Sequence, residues 1–161
     1  METTVISGDK TSMKALLSDL KQLTKFGLSL SVVFSSVAGY LIAADVVNYS
    51  ILFLLALGGF FMVSASNVFN QIIEKDTDAI MKRTQNRPLP TGRMSVNVAL
   101  SIAILFTVLG ISILYSINPK SALFGAISIF IYTSIYTPLK PVTPLAVFIG
   151  AIPGAIPFML G

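Results

Sequence analysis

The 161-residue sequence contains no cysteine and no histidine. The lack of cysteine excludes disulfides, thiolate catalysis and cysteine-ligated metals within this chain. The lack of histidine excludes imidazole ligands and imidazole acid–base chemistry. Any cofactor that the chain holds must therefore be held by oxygen ligands, by cations or by apolar walls.

Charge is also scarce. Only 11% of the residues are charged, against about a quarter in a typical soluble domain, while 54% are hydrophobic and the mean hydropathy is +0.83. These values predict a membrane protein. The pI near 9.5 does not indicate nucleic-acid binding, because the basic residues fall where membrane topology needs them. Residues 1–24 lack the apolar core of a cleavable signal peptide, so the first apolar run is expected to stay as an anchor.

Five apolar segments predict an all-α, polytopic transmembrane bundle. They cover residues 26–44, 49–69, 95–117, 121–138 and 144–161. The fifth contains Pro153 and Pro157 and should be kinked. Because the sequence ends inside this apolar run, we expect a membrane domain over 26–161 that is cut within its fifth span.

Residues 1–25 are predicted to form a cytoplasmic tail, 1–11, followed by an amphipathic surface helix, 12–25. Apolar residues at 13, 16, 17, 20 and 23 have helical spacing. The alternative is the solvated start of the first span. With the N-terminus inside, every Lys and Arg except Lys120 lies on the cytoplasmic side, as the positive-inside rule requires. The expected location is the cell (inner or plasma) membrane.

Charges of both signs are concentrated between Asn70 and Pro90. Asn70, Glu74 and Asp78 are four residues apart, so a helix continuing past the membrane would place them on one face, over about 12 Å. Two carboxylates and an amide oxygen suit Mg²⁺ that also binds phosphate oxygens and water. Asp76 would point elsewhere and stay solvated or act behind the ligands.

Three cations follow the acidic residues. Lys82, Arg83 and Arg87 are expected to continue the helix, which should close at Arg87 before Pro88. Arginine offers a fork of donors matched to phosphate oxygens. The stretch therefore predicts a site for an anionic phosphate ester bridged by Mg²⁺. The alternative is a topology signal with a solvated charged face.

Tyr136 and Lys140 are four residues apart at the end of the fourth segment, on the same side of the membrane. A lysine there could reach a phosphate, and a phenol could donate a hydrogen bond to it. The alternative is an interface tyrosine with a positive-inside lysine.

The run NxxxExxxD followed by MKRTQNRPLPTGRMS resembles the first aspartate-rich motif, NxxxDxxxD, of the UbiA superfamily of intramembrane prenyltransferases. Glu74 replaces the commoner Asp and lengthens the arm. Tyr136 and Lys140 match the superfamily's YxxxK. Within it, RTQNRPLPTG and YTPLKPVTPLAVFIGAIPGAIP are most similar to the protohaem IX farnesyltransferases.

The resemblance implies an all-helical bundle of about nine spans, of which about five are present here. It implies transfer of farnesyl from farnesyl diphosphate to a vinyl group of haem B, which is a substrate and not a cofactor, giving haem O and diphosphate. The lipid bilayer and haem A synthase or oxidase-assembly proteins are the implied partners.

The resemblance also implies residue roles. Asn70, Glu74 and Asp78 would hold Mg²⁺ with the diphosphate. Lys82, Arg83 and Arg87 would bind the diphosphate, and Tyr136 and Lys140 would assist C–O ionisation. The second aspartate-rich motif is absent from these residues, so we expect activity to depend on a further half. Other interpretations are a related enzyme with an aromatic acceptor such as 4-hydroxybenzoate, a transporter half or structural subunit, and a non-catalytic membrane fragment.

Overall fold

The computed structural model describes residues 8–161, with side chains from Met13 onward. These residues form helices and no strands, which confirms the all-α prediction. Seven helices follow in chain order: α1 Gly8–Leu23, α2 Phe26–Ala43, α3 Tyr49–Ile73, α4 Lys75–Ile80, α5 Val96–Ile117, α6 Pro119–Leu139 and α7 Ala146–Leu160.

Helices α2, α3, α5 and α6 are long and apolar enough to cross a membrane, and α7 is a shorter apolar helix of 15 residues. Their bounds lie within a few residues of the predicted segments, because apolar length fixes a span. Large apolar side chains such as Phe34, Ile42 and Phe53 are mostly exposed along them. An outward apolar surface of this kind faces lipid, so the chain is a multi-pass membrane protein.

Local signals set the helix starts. Asn48 Oδ1 accepts hydrogen bonds from two backbone amides at the start of α3, and Ser95 does the same for one amide of α5. Asn118 caps α6, and Pro119 follows it at the first helical position. These side chains satisfy amides that have no partner inside the helix.

Helix α3 contacts most of the other helices, and it packs most extensively against α5 and next most against α2. Two apolar clusters lie along it. The deep cluster comprises Leu55, Met62, Leu114 and Ala122. The loop-side cluster comprises Leu23, Val68, Leu89, Met94, Ala99 and Ala103. Close packing in the deep cluster depends on small residues, since a Cβ on Gly110 would lie 2.7 Å from Met62 Sδ.

The N-terminal helix begins at Gly8, before the predicted Ser12, and the part of the predicted tail at 1–7 lies outside the described residues. The prediction that the helix after Asn70 continues to Arg87 is wrong: α4 ends at Ile80, where Met81 becomes extended. Thr84 Oγ1 donates to the Asp78 carbonyl oxygen, 3.0 Å away, and the chain turns. Helix α7 continues through Pro153 and Pro157 without a break, and the predicted kink stays a prediction.

Candidate functional site

A polar stripe on α3 binds the junction between α1 and α2. Gln71 Nε2 donates to the Leu23 carbonyl oxygen at 2.7 Å. Asn67 Nδ2 donates to the Thr24 carbonyl oxygen and to Ser29 Oγ, each at 3.2 Å. All of these side chains are buried, where polar groups require partners. The amides therefore fix the junction on the surface of α3.

Lys25 lies at that junction in the left-handed region, with φ 47° and ψ 53°. Such a backbone is uncommon outside glycine and persists where surrounding contacts determine it. It turns the lysine towards α3, where Nζ donates to Asn70 Oδ1 at 3.0 Å. Burial lowers the pKa of Lys25 to about 8, and the nearby charge of Arg87 also lowers it, whereas Glu74 opposes this.

The three predicted metal ligands follow one another across the junction of α3 and α4. Glu74 interrupts the regular helix for one residue, yet its amide donates to the Asn70 carbonyl oxygen at 2.9 Å. The Asp78 amide donates to the Glu74 carbonyl oxygen at 2.7 Å. The four-residue hydrogen-bond pattern thus continues from Asn70 to Asp78, as the spacing predicts.

The loop after α4 returns to the site because Leu89 is buried in the loop-side cluster. Gly92, with φ 72°, permits the tight turn that follows. With Leu89 anchored, Arg87 Nη1 contacts Asp78 Oδ2 at 2.6 Å. The Asp78 side chain is only 4% exposed. A buried carboxylate of this kind depends on its charged partner.

The end of α6 forms the opposite wall. Residues Ile131–Tyr136 form a π-helical turn, whose hydrogen bonds span one residue more than those of an α-helix. Thr137 follows it, buried, and its Oγ1 accepts a hydrogen bond from Asn70 Nδ2 at 3.4 Å. Lys140 Nζ contacts Glu74 Oε1 at 3.1 Å.

A cavity of about 380 Å³ lies between these elements. Glu74, Asp78, Lys25, Arg83, Arg87 and Lys140 line it together with Thr137 and several apolar residues. Each of the three predicted ligands contacts one cation, and the cations come from three separate segments: Lys25 on Asn70, Lys140 on Glu74, and Arg87 on Asp78.

The donor set fits Mg²⁺ only together with an oxyanion. Among the described residues, no group of three or more acidic, histidine or cysteine side chains is close enough to hold a metal ion by itself. Glu74 and Asp78 offer carboxylates, and Asn70 offers an amide oxygen that currently accepts from Lys25. Mg²⁺ characteristically takes one or two carboxylates and completes its shell with water and phosphate oxygens.

The remaining predicted residues differ in placement. Arg83 lines the cavity. Lys82 and Asp76 are exposed, and neither is part of the cavity wall as described for residues 13–161. The Tyr136 ring lies beside Tyr132, with centroids 5.2 Å apart, and against Gly150. The wall of the 380 Å³ cavity contains the next residue, Thr137, and does not include Tyr136. The role predicted for Tyr136 therefore stays a prediction.

A second, mainly apolar cavity of about 220 Å³ lies deeper between α2, α3, α6 and α7. Leu28, Val63, Asn67 and Tyr132 are in its wall. Leu28 in its wall is three residues from Lys25 in the wall of the charged cavity, so at this point the two cavities are about one helical turn apart.

Sequence reasoning missed Lys25, Asn67, Gln71 and Thr137. A signal existed for the amides: Asn67 and Gln71 interrupt a long apolar run, where an unpaired polar group is costly. Lys25 carried no comparable signal, because a lysine at the end of a span is ordinary topology.

Residues 32–161 match the UbiA prenyltransferase family, and the chain belongs to this family. Over 147 residues it is 65% identical to the protohaem IX farnesyltransferase of Christiangramia forsetii, covering 91% of this chain and 49% of that protein. The chain spans about half the length of the curated relatives it matches.

Two solved structures share the fold. One concerns digeranylgeranylglyceryl phosphate synthase in membranes; its TM-score is 0.83 at 22% identity, over 89% of this chain and 51% of that one. The other is a UbiA homologue from Archaeoglobus fulgidus bound to DMAPP and Mg²⁺; its TM-score is 0.79 at 20% identity, over 88% and 52%. At 22% and 20% identity, this likeness shows that the chain shares the helical-bundle fold of these structures, and no more.

Proposed function

We propose that the chain forms the diphosphate-binding half of a protohaem IX farnesyltransferase. The reaction transfers farnesyl from farnesyl diphosphate to a vinyl group of haem B, giving haem O and diphosphate. One observation carries the proposal: the oxygens of Asn70, Glu74 and Asp78 each contact a cation. Both carboxylates and all three cations line one cavity, and the buried Asn70 lies behind Lys25. The relatives' names supply the reaction class and the acceptor.

In this proposal Asn70, Glu74 and Asp78 hold Mg²⁺ with the diphosphate, as the donor set allows. The bound ion would neutralise charge on the leaving diphosphate. Arg87 and Arg83 would bind diphosphate oxygens through their donor forks. Such cations stabilise charge that develops as the allylic C–O bond breaks.

The wall opposite the carboxylates would complete the diphosphate site. Lys140 would bind a phosphate oxygen, and Lys82 would contribute from the exposed loop. Tyr136 would donate to the departing oxygen after a change of side-chain rotamer, since its ring now lies against Gly150. No nucleophilic side chain is needed, which agrees with a chain lacking cysteine and histidine.

The apolar cavity would receive the isoprenoid chain. Its wall is mostly aliphatic, with Tyr132 on α6 and Pro153 and Pro157 on α7. These groups would exclude water from an electron-poor allylic centre. The charged and apolar cavities are about one helical turn apart, so one amphipathic substrate could occupy both.

The membrane arrangement follows from the charges. The N-terminus and the α4 loop would face the cytoplasm of the inner or plasma membrane. Met13, Leu16 and Leu17 are exposed on α1 and would lie on the lipid surface. Haem A synthase or oxidase-assembly proteins would receive the product.

The test is product formation by a chimaera of residues 1–161 joined to the second half of the Christiangramia forsetii relative. Membranes with this chimaera are supplied with farnesyl diphosphate, Mg²⁺ and haem B, and haem O is measured by chromatography. We expect haem O from the chimaera and none from the 161-residue chain alone.

Acceptor choice separates the related enzymes. The same membranes are offered 4-hydroxybenzoate in place of haem B. Prenylated benzoate without haem O would replace the proposed acceptor with an aromatic one. If neither product forms, although the unmodified relative makes haem O in parallel, the enzyme assignment is wrong.

A further inference from the structure

Lys25 is the cation at this cavity that no motif assigned. Its Nζ contacts Asn70 Oδ1 at 3.0 Å, and its side chain lines the same cavity as Glu74, Asp78 and Arg87. It approaches from the α1–α2 junction, whereas Arg87 comes from the loop after α4 and Lys140 from the end of α6.

Several interactions hold Lys25 at the cavity. Among residues 8–161, Lys25 is the one non-glycine residue whose φ is positive. The buried amides of Asn67 and Gln71 bond to carbonyl oxygens of the two preceding residues, Thr24 and Leu23. A lysine needed only for membrane topology would not require a fixed conformation, because topology depends on the side of the charge.

The contact with Asn70 has an electrostatic consequence. The oxygen predicted to ligate Mg²⁺ already accepts from an ammonium group. A divalent ion approaching that oxygen meets a like charge, which opposes binding. A diphosphate entering with the metal offers the ammonium group a stronger, charge-assisted acceptor.

We propose that Lys25 is a further diphosphate-binding residue that couples metal binding to diphosphate binding. Its Nζ holds the Asn70 amide oxygen in the absence of diphosphate and binds a phosphate oxygen when diphosphate enters, which frees Asn70 for the metal. This inference rests on the proposed function, since it assigns a role at the same site.

The coupling is measured with Mn²⁺, which reports binding by electron paramagnetic resonance, and with inorganic diphosphate. The 161-residue chain is reconstituted in lipid nanodiscs, and Mn²⁺ affinity is determined with and without diphosphate. We expect diphosphate to tighten Mn²⁺ binding about tenfold in the wild-type chain, within the usual range of coupling between sites.

Lys25→Gln should change the affinity for Mn²⁺ and the affinity for diphosphate in opposite directions. Mn²⁺ alone is expected to bind about threefold tighter because a like charge is gone. Diphosphate at saturating Mn²⁺ is expected to bind about tenfold weaker because a charge-assisted bond is lost. Lys25→Arg should retain most of the diphosphate affinity. Lys14→Gln, an equal charge change at an exposed site on α1, should alter neither value.

The outcomes are distinct. If Lys25→Gln weakens both affinities, Lys25 only maintains the junction, and the inference is wrong. If it changes neither, Lys25 does not contact the diphosphate, and the inference is also wrong. If the wild-type chain binds no Mn²⁺ with diphosphate, the proposed function fails together with the inference.

Discussion

The two halves of α3 differ in their contacts: one packs against neighbouring helices, and the other carries the polar contacts of the candidate site. Towards its start, Leu55, Gly58 and Met62 are buried against α5 and α6, and glycines permit close contact. Towards its end, buried Asn67, Asn70 and Gln71 lie beside Val68, which α3 contributes to the loop-side cluster. Apolar surface needs only a fitting neighbour, whereas each buried amide needs a partner of defined geometry.

The difference explains where the cavity forms. In the deep half, small residues allow the helices to approach until little space remains. In the polar half, the amides hold the α1–α2 junction at hydrogen-bond distance, and ion pairs connect α3 and α4 to Arg87 and Lys140. Mutations in the deep half should therefore change stability, and mutations in the polar half should change ligand binding.

Asp78→Asn should have the largest effect, on the polar half. It removes a carboxylate that we propose as a Mg²⁺ ligand, and it leaves Arg87 without its buried partner. We expect haem O formation by the chimaera to fall about 100-fold or more, as for loss of one group that stabilises developing charge. Asp76→Asn, an equal change at an exposed position, should stay within about twofold. Equal losses in both variants would contradict a specific role for Asp78.

Gly110→Ala should affect the deep half and spare the ligand. The new Cβ would lie 2.7 Å from Met62 Sδ and 3.1 Å from the Met62 backbone nitrogen. Overpacking of this kind should lower the free energy of unfolding by about 2 kcal/mol, measured by denaturant titration in detergent. Gly59→Ala is the control, since its nearest atom is 3.9 Å away. Unchanged stability of Gly110→Ala would show that α3 and α5 are not closely packed.

Lys140→Gln should produce the converse pattern. The ion pair with Glu74 is half exposed on the lysine side, so its loss should hardly change the free energy of unfolding. Diphosphate affinity with Mg²⁺ should fall about tenfold, because one charge-assisted contact to the ligand is lost. Titration calorimetry of the reconstituted chain measures it. An unchanged affinity would leave Lys140 as a topology charge.

Asn48→Ala should have the smallest effect, at the end of α3 far from the site. It removes the cap that accepts from the Ser50 and Ile51 amides. The free energy of unfolding should fall by about 1 kcal/mol, while Asn48→Asp, which keeps an acceptor, should restore most of it. Neither variant should alter diphosphate affinity; a change there would link the two halves of the helix.

Much of the bundle could be predicted from the sequence. The predicted segment at 95–117 became α5, Val96–Ile117, because spans are defined by apolar length. The four-residue spacing of Asn70, Glu74 and Asp78 predicted that they share one helix face, and the backbone hydrogen bonds from Glu74 to Asn70 and from Asp78 to Glu74 agree with that spacing. Both signals are local, so one sequence is enough to read them.

The unpredicted features depend on tertiary contacts. Lys25 reaches Asn70 only because α3 amides bind the junction in a left-handed turn. Thr137, directly after a π-helical turn, lines the cavity, and its contact with Asn70 joins two helices that are distant in the sequence. The loop after α4 turns at Met81 because buried Leu89 anchors it near α3.

The most direct test of the account is a titration of the reconstituted chain with farnesyl diphosphate, with Mg²⁺ and with EDTA. We expect an affinity about tenfold or more higher with Mg²⁺, because the ion would bridge the ligand to Asn70, Glu74 and Asp78. Equal affinities under the two conditions would contradict a metal-bridged diphosphate at this cavity.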